Sequence, residues 1–571
     1  MDRRITNDEV LNSPDIFTFV FKRSEFFTNF LQNRPEILAA YNIDEQYLFG
    51  AANQSYFERF REDIGSGITT ALPLACGLLD RVSLESAGII QVQNQPFLDL
   101  KGRGVLVGII DTGIDYTKKA FINSDGNSKI MYLLDQTIPS SFPQPGVFFG
   151  TEYSNDQINQ ALRADNPYDI VPSVDTVGHG TFLASVAAGN LEEDARYIGA
   201  APEADLIVVK LAPMKGFLKE LFQILPEQEN VYSSHYIMIG IQYIIKKAQQ
   251  LNRPVAICLG LGTNMGGHEG GSLFEEYLSN ISRITGVCLC CAAGNESEAK
   301  HHTQGTVSGV DEFTPINIRV GEDAGGFMVS IWCGASDKMS VGVRSPTGES
   351  VSRVPARAGA RFDAKLILEN SRVVVNYFFP TENAGSELII VRIINATPGI
   401  WTIQVYGDII LNGTFHAYLP LTGLVSPNVE FLSPIPYYTV VVPATALGVI
   451  AVGAYNQSTN TLYNQTSWGP TRLPMVSPDF VAPGAEVGGV LPSGYGSMSG
   501  TSVAAAIATG SCALLLQWGI IQKNNTSMNT YQARAYIIRG CTRDPNLTYP
   551  NYQWGYGRLN LFQTFNLMRE A

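Results

Sequence analysis

Val105-Leu-Val-Gly-Ile-Ile-Asp-Thr-Gly-Ile-Asp115 sets a run of six apolar and glycine residues directly against two aspartates. β-Branched residues dominate the run and nothing polar interrupts it, the pattern of a strand buried on both faces. In open α/β sheets ligands gather outside the carboxyl ends of the strands, so a carboxylate there stands where sites form. Alone, Asp111 fits a turn-capping role equally well. Runs of the same kind recur at Leu206–Val209, Val255–Leu259, Val287–Ala293 and Val449–Val452. Between them Ile237, Ile241, Ile244, Ile245, Ala248 and Leu251 repeat at helical spacing. Strand–helix alternation predicts an α/β fold, a parallel sheet with helices on both faces.

Two later segments carry chemistry of their own. Asp175-Thr-Val-Gly-His179-Gly-Thr leads into Phe182-Leu-Ala-Ser-Val-Ala-Ala-Gly189, a histidine between glycines opening a helix of small residues. The glycines permit close backbone approach, and an imidazole titrates near neutrality, which suits general-base work. Ser499-Gly-Thr-Ser502-Val-Ala-Ala-Ala506 opens a long apolar helix. A serine there is an ordinary cap by default, but free N–H groups and the helix dipole also stabilise developing negative charge.

Each segment has a bland explanation, but the order Asp, His, Ser on a parallel scaffold is the triad order of subtilisin. On Asp111-Thr-Gly, Gly178-His-Gly-Thr and Gly500-Thr-Ser502-Val-Ala, the chain resembles the subtilase (subtilisin-like serine protease) family. Ala292-Ala-Gly-Asn295, Ser467-Trp-Gly-Pro470 and Pro478-Asp-Phe-Val-Ala-Pro-Gly484 match in the same order. The nearest likeness is to the clostridial germination-protease (Csp) subgroup. It rests on the β-rich insertion before the serine, on Val503-Ala504-Ala505-Ala506, and on Trp554-Gly-Tyr-Gly-Arg-Leu-Asn-Leu561.

The resemblance implies a catalytic triad of Asp111, His179 and Ser502. It also implies an oxyanion hole using Asn295, and a substrate-pairing edge at Gly260, Leu261 and Gly262. Gly260 departs from the serine many subtilases carry there. The implied activity is a serine endopeptidase that cuts its own prodomain, which stays bound noncovalently, with a spore cortex-hydrolase proenzyme as a compatible substrate. The alternative is a catalytically silent regulatory pseudoprotease; survival of all three triad residues favours the enzyme.

Four units are expected: a prodomain over 1–80, the first part of the catalytic domain over 81–316, a β-sandwich or jelly-roll insertion over 317–437, and the second part over 438–571. In the insertion, strand-like runs such as Phe327–Cys333, Arg372–Phe379 and Leu388–Ile394 are separated by turn signals including Ser345-Pro-Thr-Gly348 and Asn412-Gly413. In the prodomain Ile16–Phe21 reads as a strand, and Phe26–Leu31 and Tyr56–Arg61 as short helices. The resemblance places the prodomain cut between Ser66 and Gln93.

Composition limits the remaining choices. Over 571 residues, 39 Lys and Arg oppose 52 Asp and Glu, a formal charge of −13 that argues against non-specific nucleic-acid binding. A hydrophobic content of 45 % excludes global disorder. The eight cysteines sit inside apolar runs, as buried free thiols do, and this points to a reducing compartment. Cys288, Cys290 and Cys291 lack a second ligand pair, so no metal site is assigned, and no cofactor motif appears; calcium is left open. The acidic, apolar-poor start lacks a secretory pattern, so synthesis in the cytoplasm is expected; the resemblance adds association with the spore. Val503–Ile521 is uncharged and membrane-length, yet Thr509, Ser511 and Gln517 make it a core helix rather than a span. His301-His302 reads as an exposed loop pair.

Overall fold

The computed structural model describes residues 9–10, 13–78, 85–95, 98–140, 147–190, 197–381 and 384–569. Leu106–Asp111 is buried along its whole length at the middle of the main sheet. The order across that sheet is Thr461–Leu462, Ile450–Asn456, Val287–Ala292, Val255–Leu259, Leu106–Asp111, Asp205–Lys210, Ile130–Asp135 and Thr151–Ser154, with Phe480–Pro483 also pairing Ile450–Asn456. Pairings within it are parallel except at the two edges. The strand alternation divides its side chains between two cores. Val107 and Ile109 pack with the helices His179–Ala188 and Thr501–Leu516, while Leu106 and Ile110 pack with Ser234–Gln250. This is the subtilisin-like α/β fold.

Thr501–Leu516 is buried on every side, which explains its apolar sequence without a membrane. The apolar stretch Thr501–Ile521 is long enough to span a bilayer, but 83 % of its most apolar window is buried inside the molecule. Gln517 serves as a clamp there: its Oε1 accepts from the N–H groups of Lys101 and Gly102, and its Nε2 donates to the carbonyl of Asp99.

The insertion consists of two antiparallel sheets packed face to face. One has six strands, running from His302–Thr306 through Phe327–Cys333 to Arg361–Lys365; the other has five, centred on Gly399–Ile409. Val329, Ile331, Val341, Val375, Val391, Trp401 and Ile403 fill the space between them. Its strands begin ahead of residue 317, at His302–Thr306 and Phe313–Val320. His-Thr-Gln-Gly-Thr carries no hydrophobic run to mark it as a strand, which is why the sequence boundary falls late. The expected exposed pair is corrected too: His301 and His302 are buried, 6 % and 2 % exposed, His302 opening that strand against His416 and His301 just ahead of it pairing with Glu296.

The N-terminal unit is a three-stranded antiparallel sheet, ordered Ile16–Lys22, Tyr47–Asn53, Ile37–Asn42, with helices Glu25–Asn33 and Phe57–Ile64. It is buried on both faces. Val20, Tyr47 and Phe49 pack with Tyr236, Ile237 and Tyr277 of the main unit. Phe17, Phe19 and Phe60 lie in one cluster with Trp332, Phe378 and Leu388 of the insertion.

Candidate active site

Asp111, His179 and Ser502 come from three elements that converge at the carboxyl edge of the main sheet. Asp111 ends its strand, His179 opens its helix, and Ser502 lies in the first turn of its own. His179 Nδ1 is 2.8 Å from Asp111 Oδ1, and its Nε2 is 3.2 Å from Ser502 Oγ. All three are buried. In this arrangement Nδ1–H donates to the carboxylate, leaving Nε2 as the acceptor for the serine hydroxyl. Asp111 Oδ1 also accepts from the N–H of Thr112 at 2.7 Å, which fixes the carboxylate.

Asn295 follows the strand Val287–Ala292 and reaches the start of the serine helix. Its Oδ1 accepts from both the N–H and the hydroxyl of Thr501, each at 3.1 Å. That spends the amide oxygen on the helix and leaves the NH₂ as the donor. Thr501 Oγ1 in turn accepts from the N–H of Gly294 at 3.0 Å, joining the two segments.

Asp175, quoted in the histidine motif but given no role there, holds the loops together. Its Oδ1 accepts from Thr112 Oγ1 at 2.8 Å and from the N–H groups of Val177 and Gly178; its Oδ2 accepts from the N–H and hydroxyl of Thr181. Thr112 Oγ1 also accepts from the N–H of Gly180 at 2.9 Å. Five hydrogen bonds on one buried carboxylate thus tie the aspartate loop to the histidine helix. A Cβ on Gly180 would stand 2.2 Å from the carbonyl oxygen of Gly113, so the two backbones approach as closely as they do only through glycine.

The family comparison agrees with this geometry. The subtilase (peptidase S8) description matches residues 102–322 and 435–557, more than half of the chain. The chain belongs to the subtilase family of serine proteases. The CspB protease of Clostridium perfringens superposes on it with a TM-score of 0.75 and 30 % identity, covering 85 % of this chain and 97 % of that one. A subtilisin-like protease of Arabidopsis thaliana, SBT1.9, is 28 % identical over 217 residues, 34 % of this chain and 28 % of its own. The C5a peptidase of Streptococcus pyogenes is 31 % identical over 120 residues, 20 % of this chain and 10 % of that protein. The chain therefore spans less than a third of either curated relative.

Against the subtilase pattern, Gly260 has a local cause. A Cβ there would lie 2.5 Å from Leu183 Cδ1, 3.2 Å from Ser502 Cβ and 3.3 Å from His179 Cε1. Leu183 fills the space a serine side chain would use. Beyond Gly260, the edge Leu261–Gly262 is already paired. Leu78 and Gly77 lie antiparallel to Leu261 and Gly262, while Ala75 and Cys76 pair with Ser233 and Tyr232 on the other side. The last strand of the N-terminal unit is thus the middle of a three-stranded sheet across the cleft.

Proposed function

We propose that this subtilase is a serine endopeptidase that hydrolyses peptide bonds through an acyl-enzyme and processes its own N-terminal unit as a prodomain. The observation that carries the proposal is the unbroken hydrogen-bonded line from Asp111 through His179 to Ser502, with a peptide strand held beside it. Ser502 attacks the scissile carbonyl; His179 takes the hydroxyl proton and later gives it to the leaving amine; Asp111 holds the imidazole tautomer and stabilises its charged form. The tetrahedral oxyanion is met by the Asn295 amide and the Ser502 N–H at the open helix terminus. Water then attacks the ester by the same proton route in reverse and releases the acid.

Substrate is held by strand addition, with backbone hydrogen bonds to the Leu261–Gly262 and Tyr232–Ser233 edges supplying most of the affinity. A peptide bound in the register of Ala75–Leu78 places its next residue opposite Gly260, and Gly260 adjoins Ser502. The chain's own cut belongs to the 66–93 window, part of which lies outside the described residues. The physiological substrate follows from likeness alone: as a Csp-type protease the enzyme would activate a cortex-hydrolase proenzyme at germination.

A fluorophosphonate probe tests the chemistry. The self-cleaved protein should acquire one adduct on Ser502, mapped by peptide mass spectrometry, and His179→Ala should abolish it. Absence of an adduct on the folded wild-type protein would make the chain a regulatory pseudoprotease instead.

A further inference from the structure

The N-terminal unit, the main unit and the insertion meet around a hollow that the peptidase chemistry does not use. This cavity of about 160 Å³ is walled by Phe57 and Leu72 of the first, Met265 of the second, and Trp332, Phe378 and Arg392 of the third. Hydrocarbon dominates the wall, and apolar cavities of about 150 Å³ are large enough to take up a benzene ring.

Several buried polar atoms on that wall have no counterpart among the described residues, including Arg61 Nε and Nη1 and Thr381 Oγ1. Among the described residues, Trp332 Nε1 and Arg392 Nε are buried without a hydrogen-bond acceptor. Trp332 is 7 % exposed. The other two nitrogens of Arg392 reach only the carbonyl of Leu221 at 3.3 Å and Asn376 Oδ1 at 3.5 Å. Every neighbouring arginine has a carboxylate: Arg61 and Arg361 have Glu58, and Arg472 has Glu269. Arg392 has none within ion-pair distance among the described residues. Burial, reinforced by the charge of Arg361, pulls the Arg392 pKa down to about 10. Arg392 is half-buried with its Nε shielded from solvent, and an apolar chamber lies beside its unpaired charge.

We propose that this cavity binds a small apolar monoanion, a carboxylate on a single ring or a short hydrocarbon chain. Its charged group pairs with Arg392 and accepts from Trp332 Nε1, and its hydrocarbon packs against Phe57, Met265 and Phe378. A cation is disfavoured because Glu58 and Glu269 are already engaged by arginines. All three units supply walls, so the ligand holds the N-terminal unit against the other two and raises the stability of the assembly by mass action.

The full chain, labelled with fluorotryptophan, can be titrated with millimolar phenylacetate and hexanoate, with phenethylamine and benzyl alcohol as charge controls. The Trp332 resonance, assigned by Trp332→Phe, should shift saturably with the carboxylates and not with the amine, and the melting temperature should rise with it. Arg392→Met should weaken carboxylate binding by at least about tenfold, the worth of a charge-assisted hydrogen bond. Ser330→Leu, which fills the cavity while keeping Arg392, should abolish binding and decides the matter if Arg392→Met fails to fold. Equal response to amine, alcohol and carboxylate, undiminished affinity in either variant, or no saturable shift would overturn the proposal.

Discussion

Asn295 spends its amide oxygen on Thr501, which leaves its NH₂ as the donor for the proposed oxyanion. Asn295→Ala should therefore lower kcat by about 10²–10³ with little change in KM, the range known from subtilisin itself. Equal losses in kcat and binding would contradict that role. Asp175 touches no reacting atom, but five donors depend on it. Asp175→Ala should lower kcat by on the order of 10² through misplacement of His179, while fluorophosphonate labelling slows and does not vanish. Gly180→Ala should act similarly, since its methyl meets the Gly113 carbonyl. At this scale the meeting of Asp111, His179 and Ser502 was legible because each sits in a short contiguous motif. Asp175 was not, although it stands four residues ahead of His179: its work is distributed over Thr112, Gly178 and Thr181, partners that only folding brings together.

Among elements, the strand His302–Thr306 was invisible to pattern reading, and it carries one member of a buried histidine pair, the other being His416 on the neighbouring strand Thr414–Tyr418. His302 Nε2 lies 3.1 Å from His416 Nδ1, with Tyr418, Tyr438 and His268 packed around them and Arg472 near enough to add its charge. Burial is the main cause holding His302 at about 3 and His416 at about 2, well below the ordinary imidazole value. Both are neutral in the folded protein. As pH falls through about 6.5 the unfolded chain takes up these protons first, so stability present above that pH is lost toward the folded values. The melting temperature should fall between pH about 7 and about 4, and His416→Gln should flatten that fall. An unchanged slope would place the acid sensitivity elsewhere. The strands Ile37–Asn42 and Tyr47–Asn53 also escaped the sequence reading, because Ala39-Ala40 and Gly50-Ala51-Ala52 have weak strand preference; pairing with Ile16–Lys22 and burial against the main unit override it. The apolar runs at Val105–Ile110 and Val255–Leu259 were plain for the opposite reason, as burial on both faces leaves no polar residue to blur them.

Across the whole molecule, one N-terminal unit is clamped between two larger bodies while its last strand lies in the cleft. Phe60 is fully buried, with its ring 4.6 Å from that of Phe19 and 5.2 Å from that of Phe17. Phe60→Ala should cost about 3–5 kcal/mol, read as a lower unfolding midpoint in urea. After cleavage the two fragments should still elute together in gel filtration, since both faces of the small unit remain covered; separation under native conditions would contradict the packing. In sequence the insertion showed as strand-like runs without helices between them, and the N-terminal unit was expected from the resemblance. How the N-terminal unit is wedged depends on matched aromatic surfaces that no single segment displays.

The central claim is that these three side chains cut the chain that carries them. Intact-mass measurement of the purified wild-type protein beside Ser502→Ala tests it directly. Two fragments from the wild type, divided between Ser66 and Gln93, and one full-length species from the variant are the expected result; an identically clipped variant would contradict it.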